Sequence, residues 1–341
     1  MKFFITGHTG FKGSWLTVML HELGHEVFGF SAGVPRGGLF EIAGLDQRVS
    51  RHSLGDVRDS LALERALNAA QPDVAIHLAA QALVLPSYLD PIETFTTNVD
   101  GTLAFLKAVS QSPRTRVSLV ITSDKVYANS GRRNFSEEDP LGGSDPYSAS
   151  KAMADILARS WVTSGFSDSI YVARAGNVIG AYDNSPYRII ADIWRARDEQ
   201  KPLVVRNPSH IRPWQHVLDC LSGYLLYSKK VMLGVELPRV LNFGPPPDNV
   251  RTVGEVVEAI EDRLPSGVSM GVPTESFETS VLTLDSRKAS QSLGWKNVVA
   301  FERAVQMSVP LVKPENPFGF VRDQVRAFVE TSGAHLDLPA R

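Results

Sequence analysis

Short apolar runs alternate with amphipathic stretches through the first half of the chain. Phe3-Phe4-Ile5, Val27 to Phe30, Asp73 to Leu78, Val117 to Ile121 and Ile170 to Ala173 read as buried strands. Between them, Trp15, Leu16, Met19, Leu20 and Leu23 recur at helical spacing, and helical periods run near Leu61 to Ala70, Thr102 to Ser110 and Tyr147 to Thr163. Strand and helix in alternation predict parallel strands joined by crossovers, an α/β fold of the Rossmann-type doubly wound kind. After about Ile179 the alternation fades, and proline-rich connections such as Arg206 to Trp214 and Asn242 to Pro247 take over. No long flexible linker intervenes, so a smaller C-terminal lobe covering the site is expected rather than an independent domain.

A ligand of such a sheet sits beyond the carboxyl ends of its strands. The segments to inspect are therefore Gly7 to Gly13, Ala79 to Val84, Thr122 to Tyr127 and Ala175 to Gly180. The first, Gly7-His-Thr-Gly10-Phe-Lys-Gly13, places glycines where a strand must turn into a helix. Gly7 permits the turn, Gly10 lets backbone approach a pyrophosphate, and Gly13 lets helix pack on strand, while the helix N-terminus offers N–H groups to the anion. Residues 1–178 are thus expected to form a dinucleotide-binding domain. Residues 179–341 would be mainly a substrate-binding lobe, with some segments returning to the first domain.

Composition narrows the picture modestly. A chain of 341 residues carrying a net charge of −2 has core enough for about two domains and nothing that favours nucleic acid or an anionic membrane. The opening Met-Lys leads at once into a strand, leaving no room for a secretory leader, and no apolar run reaches the length of a membrane span. The one cysteine, Cys220, excludes an intrachain disulfide, and a cytoplasmic protein is expected. His216 lies four residues before it, and packing explains that pair better than nucleophilic chemistry. His21-Glu-Leu-Gly-His25 fits the pattern of zinc peptidases, but Gly24 should end the helix and carry His25 off the shared face, so no metal site is expected.

Tyr147-Ser-Ala-Ser-Lys151 puts a phenol and an ammonium on one helical face. A cation beside a phenol favours the phenolate and brings a pKa near 10 toward the working range, so the pair can take a proton from an alcohol while hydride leaves. Ser123, at the end of the preceding strand, supplies a further hydroxyl for the reacting oxygen.

With these motifs the chain resembles the extended short-chain dehydrogenase/reductase family from Met1 to about Trp295. The resemblance is carried by Thr6 to Gly13, Gly55-Asp56-Val57-Arg58-Asp59, His77-Leu-Ala-Ala-Gln81, Asn98 in Thr97 to Gly101, and the pair Tyr147 and Lys151. It implies NAD as cofactor, held by Gly7, Thr9, Gly10, Phe11, Gly13, Asp56, Val57, Leu78, Ala79, Ala80, Asn98, Tyr147 and Lys151. Ser31 stands at the end of the second strand where an acidic residue would hold a ribose hydroxyl, and Arg36 could meet a 2′-phosphate. The resemblance nevertheless favours NAD.

Within the family, Thr122-Ser-Asp-Lys-Val-Tyr127 looks like a dehydratase rather than an epimerase, and the Asp-Lys form resembles the cytidine-linked 4,6-dehydratases. Gly7 to Leu16, Arg174 to Gly180 and Ile211 to Val217 resemble them too. The implied substrate is a nucleotide sugar, a CDP-hexose. Hydride would pass from C4 to NAD and back to C6, with net loss of water. Tyr147 and Lys151 with Ser123 would serve the oxidation, Asp124 would be the acid for the departing C6 hydroxyl, and Lys125 the base at C5 or the cation on the enolate. Arg212 matches the family's phosphate-contacting arginine, with Arg188, Arg206 and Asn177 as helpers. Two departures, Gly180-Ala-Tyr-Asp-Asn184 and Ile189-Ile-Ala-Asp192, lie on the substrate side. Family habit implies a homodimer or homotetramer joined through the helices of Thr102 to Ser110 and Tyr147 to Thr163. The alternatives are a GDP-mannose- or dTDP-glucose-type dehydratase, a 4-epimerase, or a non-catalytic NAD sensor, which would tend to lose the tyrosine and lysine that this chain keeps.

Overall fold

Strand β1 (Lys2–Thr6) is buried at every position after Lys2, as a strand in the middle of a parallel sheet must be. In this computed structural model, which describes residues 1–128, 134–264, 266–271, 282–332 and 336, β1 opens a strand–helix series. It runs through α1 (Phe11–Glu22), β2 (Glu26–Ser31), α2 (Leu39–Ile42), β3 (Arg51–Leu54), α3 (Ser60–Ala70) and β4 (Val74–His77). Then come α4 (Val84–Leu89), α5 (Pro91–Phe95), α6 (Gly101–Ser110), β5 (Val117–Ser123), α7 (Pro146–Thr163) and β6 (Ile170–Ala175). The remainder comprises β7 (Val178–Ile179), α8 (Ile189–Asp198), β8 (Leu203–Val205), β9 (Ile211–Pro213), β10 (Gln215–His216), α9 (Val217–Met232) and β11 (Val240–Phe243). It closes with β12 (Val250–Thr252), α10 (Val253–Glu258), β13 (Val268–Met270), α11 (Arg287–Leu293), α12 (Phe301–Ser308) and α13 (Pro317–Ser332).

The central sheet has seven parallel strands in the order β11-β6-β5-β4-β1-β2-β3. Phe4 of β1 lies opposite Phe28 on one side and Ala75 on the other. Strand order reverses between β1 and β4, and there the crevice of a doubly wound sheet opens. One face buries Trp15, Leu16 and Met19 of α1 with Leu221 and Leu225 of α9, Val305 of α12 and Val325 of α13. The other buries Leu63 and Leu67 of α3, Phe105 of α6 and Ala158 of α7. Burial of each large apolar side chain in these layers is worth about 1.5–3 kcal/mol.

Three elements escape the hydrophobic pattern. Strand β3, Arg-His-Ser-Leu, sits at the sheet edge with no residue fully buried, so it has no apolar run to display. Asn242 and Phe243, expected within a proline-rich connection, instead end β11, and Pro245 to Pro247 begin only after it. Helix α9 is buried from Val217 to Ser228 on all sides, so it shows no polar face against which a period can be read. Segments beyond Ile179 thus return to complete the central sheet and one of its helical layers.

Helix α1 ends at Glu22, and Gly24 takes φ 73°, so His25 does leave the helical face. His21 packs edge-on against Phe318, and His25 lies tilted against Phe3. Among the described residues no helix is long and apolar enough to cross a membrane.

Candidate active site

A cavity of about 960 Å³ lies along the carboxyl ends of β1, β4, β5 and β6. Its first wall is the glycine loop. A Cβ at Gly7, whose φ is 75°, would stand 2.7 Å from the Ala79 nitrogen, and one at Gly13 would stand 2.2 Å from the Gly7 carbonyl oxygen. Both positions therefore demand glycine. Gly10 caps α1 with no side-chain hydrogen bond, leaving the N–H groups of the first turn for an anion at the cavity. These features fit a dinucleotide. Thr9 and Phe11 line the same wall, with Asp56 and Val57 after β3 and Leu78, Ala79 and Ala80 after β4. Asp56 is held ionised by Arg58, whose Nε donates to Oδ1 at 2.9 Å and lowers the carboxyl below its ordinary value. Ser31, at the end of β2, shares a hydrogen bond of 2.9 Å with His8 Nδ1, and Thr9 N donates to it at 3.4 Å. Arg36 is exposed and is not among the residues lining the cavity.

Asn98 is the exception among the expected cofactor residues. It is buried behind the wall, where its Oδ1 accepts from Gln81 N at 2.8 Å and its Nδ2 donates to Gln81 O and to Ser150 Oγ. All of these contacts are inside the protein. It shapes the turn after β4 through Gln81, which does line the cavity.

Helix α7 is aimed at the cavity by its start. The Asp145 side chain accepts from Ser148 N at 2.9 Å, and Pro146 occupies the first turn, so Tyr147 is set at the strand ends. One turn past Lys151, Asp155 accepts a bidentate pair from fully buried Arg174 of β6 at 2.7 Å each, and a further bond from Thr122 of β5. That network locks helix to sheet, and removing one partner of a buried pair costs about 3–5 kcal/mol.

Ser123, Lys125, Tyr147 and Lys151 all line the cavity. Ser123 Oγ donates to Asp124 Oδ1 at 2.8 Å and acts on the Tyr147 phenol, opposing the rise that burial causes there. A chain of groups, phenol to hydroxyl to carboxyl, therefore runs along the end of β5. Asp124 sits one layer behind the wall rather than on it, and burial raises its carboxyl above the ordinary range against the pull of Lys125. A Cβ at Gly176 would come 3.2 Å from Asp124 Oδ2, so the missing side chain there leaves the carboxyl its approach to the cavity.

The tyrosine departs from expectation. Burial pushes the Tyr147 phenol up to about 12, and the opposing influences are Ser123 and Arg188 rather than Lys151. The Lys151 ammonium donates to the Ile121 carbonyl at 3.0 Å, and burial together with Lys12 brings it down to about 8. Helical spacing correctly puts both groups on one face. Which neighbour each group answers to is decided by the sheet beneath them.

The cavity is also lined by Asn177, Arg188, Arg206 and Arg212. Arg188 Nη1 donates to Asp183 Oδ2 at 3.0 Å, and Arg212 Nη1 to the Ile211 carbonyl at 2.8 Å. Here the arginines can meet a diphosphate as planar forks. His216 is buried, its Nδ1 accepts from Leu218 N at 3.3 Å, and burial brings it down to about 3. It caps α9. Trp214 lines the cavity while its indole donates to the Arg251 carbonyl. Cys220 is buried with Sγ 3.2 Å from Tyr224 Oη, a packing position. Sequence reasoning assigned no role to Lys12, Gln81, Tyr187 or Asp192, all of which line the cavity. Lys12 stood inside the glycine motif, and Asp192 inside a segment already marked as a departure, so the signals were present.

The chain matches the NAD dependent epimerase/dehydratase family over residues 3–244. It is 39% identical over 307 residues to the CDP-glucose 4,6-dehydratase of Salmonella typhimurium, covering 86% of this chain and 85% of that protein. A probable dTDP-glucose 4,6-dehydratase of Sinorhizobium fredii is 27% identical over 327 residues, covering 91% and 92%. Among solved structures, the dTDP-glucose 4,6-dehydratase of Bacillus anthracis in complex with NAD superposes with a TM-score of 0.76 at 25% identity, covering 91% of this chain and 96% of that one. The UDP-glucose 4-epimerase of Brucella ovis shares the fold, with a TM-score of 0.78 at 20% identity over 90% and 97%.

Proposed function

The chain belongs to the NAD dependent epimerase/dehydratase family, and from that membership and its cavity we propose that it is a CDP-glucose 4,6-dehydratase, converting CDP-glucose to CDP-4-keto-6-deoxyglucose. NAD, when bound, supplies the hydride acceptor and donor of one closed cycle and a positively charged ring. Gly7, Gly10 and Gly13 with the N-terminus of α1 would hold its pyrophosphate, and Asp56, Val57 and Leu78 to Ala80 its flanks. In the proposed division of labour, residues 1–178 bind this cofactor and residues 179–341 mainly the substrate.

Tyr147 takes the proton of the C4 hydroxyl, assisted by Ser123. The ketone at C4 acidifies the hydrogen at C5. Lys125 faces the cavity and serves as the base that takes the C5 proton, after which the ammonium so formed stabilises the enolate and returns that proton to C5 when hydride reaches C6. Asp124 gives its proton to the departing C6 hydroxyl, and Arg188, Arg206, Arg212 and Asn177 anchor the diphosphate. The observation that carries this reading is the buried carboxyl of Asp124 hydrogen-bonded to Ser123 beside Tyr147. An epimerase needs only the tyrosine, whereas water loss needs a second proton donor. The reading extends to a cytoplasmic homodimer, supported by the single buried cysteine and by apolar side chains left exposed on α6 and α7.

CDP-glucose deuterated at C4 tests it. The label should reappear at C6 of a product lighter by one water, with no net consumption of NAD. Label lost to solvent, or a 4-epimer that keeps its C6 oxygen, would sink the assignment.

A further inference from the structure

Two carboxylates line the cavity among the arginines, Asp183, which accepts from Arg188 at 3.0 Å, and Asp192. Asp192 is in the first turn of α8, four residues after Arg188, and its Oδ1 accepts from Arg195 Nη2 at 2.7 Å. A carboxylate offers about four lone-pair sites, so one arginine does not exhaust it. Arg188 acts electrostatically on Tyr147, and Arg206 on Asp192. A nucleotide sugar with its hexose at Tyr147 and its diphosphate on these arginines must lay its base against the remaining lining of the cavity, of which Asp192 is part.

An anion near a diphosphate site is unfavourable unless the ligand presents it with a donor. Burial already disfavours the charge of Asp192, which raises its carboxyl above the ordinary value. Cytosine carries a 4-amino group, a donor that a carboxylate accepts, where uracil and thymine carry a 4-oxo group that it repels. Tyr187, two residues before α8, is held at φ 64° with 54% of its surface exposed at the same cavity. A non-glycine residue in that conformation is costly, and such residues gather at ligand clamps, here one offering a flat ring. Resting on the cytidine-linked reading above, we infer that Asp192 reads the base, accepting a hydrogen bond from the 4-amino group of cytosine and excluding the 4-oxo group of uracil and thymine.

The test compares wild type, Asp192→Asn and Arg195→Met as full-length protein with NAD. Calorimetry gives the affinities for CDP and UDP, and turnover of CDP-glucose and UDP-glucose gives the two values of kcat/KM. Asp192→Asn should weaken CDP binding by about 10- to 100-fold, as expected for a charge-assisted bond, and leave UDP binding equal or tighter, because an amide can turn its NH2 toward O4. Arg195→Met should keep the CDP-over-UDP ratio. An unchanged ratio in Asp192→Asn, an equal loss for both nucleotides, or the same effect in Arg195→Met would overturn the inference. Asp192→Ser gives the same ratio should the Asn variant not fold. If wild type dehydrates neither sugar, the dehydratase reading fails, while the binding ratio still decides the role of Asp192.

Discussion

Burial acts on Asp124 and Tyr147 in the same direction and suits only one of them. Removed from water, each group holds its proton more tightly, so Asp124 is ready to act as an acid, while the Tyr147 phenol at about 12 is not ready to act as a base. Arg188 opposes that rise of the phenol, and the positive charge of NAD, when bound, would oppose it further. Tyr147→Phe should therefore slow hydride transfer from C4, and kcat with it, by about 10²–10⁴-fold. Asp124→Asn preserves shape and can still accept from Ser123, but it has no transferable proton. Water loss should fall by a similar factor at nearly unchanged KM, measured as release of labelled C6 oxygen. Undiminished water loss in that variant would place the acid elsewhere.

Among the elements, His77 joins three. It ends β4, shares a hydrogen bond of 2.7 Å with Thr6 of β1 and one of 3.2 Å with Thr102 of α6, and stacks on Phe105. Burial first, and then Lys151, bring it down to about 3. Its folded value lies below its unfolded value near 6.5, so its contribution to stability is present above about pH 6.5 and is lost as pH falls toward 3. The stability advantage of wild type over His77→Gln should shrink by about 1.4 kcal/mol per pH unit below 6.5 and stay flat from pH 7 to 9, read from urea unfolding. A constant difference down to pH 4 would show that the imidazole is charged in the fold.

For the whole molecule, the sheet faces are covered by helices, yet Leu103 of α6 and Met153 and Ile156 of α7 remain 41%, 47% and 48% exposed. Apolar side chains grouped on adjacent helices mark an interaction surface. Two copies joined there would form a four-helix contact on the helix that carries Tyr147. If copies pair as proposed, Met153→Asp with Ile156→Asp should give a monomer in sedimentation where wild type gives a dimer, and leave NAD binding intact, since neither residue lines the cavity. A dimer that survives both substitutions would place the contact on another face.

What the sequence determined by itself was local: glycines where a strand turns into a helix, apolar runs of strand length, and Tyr147 and Lys151 one helical turn apart. Each follows from sterics or periodicity within a few residues, and each is found in place. Edge strand β3 and buried helix α9 were not legible, because the first lacks apolar residues and the second lacks polar ones. Tertiary structure alone decided the rest. Asn98 is turned inward onto Gln81 and Ser150, Lys151 bonds the Ile121 carbonyl, and Asp192 arrives among the arginines. Those outcomes depend on desolvation and on charges brought from distant parts of the chain, and no spacing of residues records them.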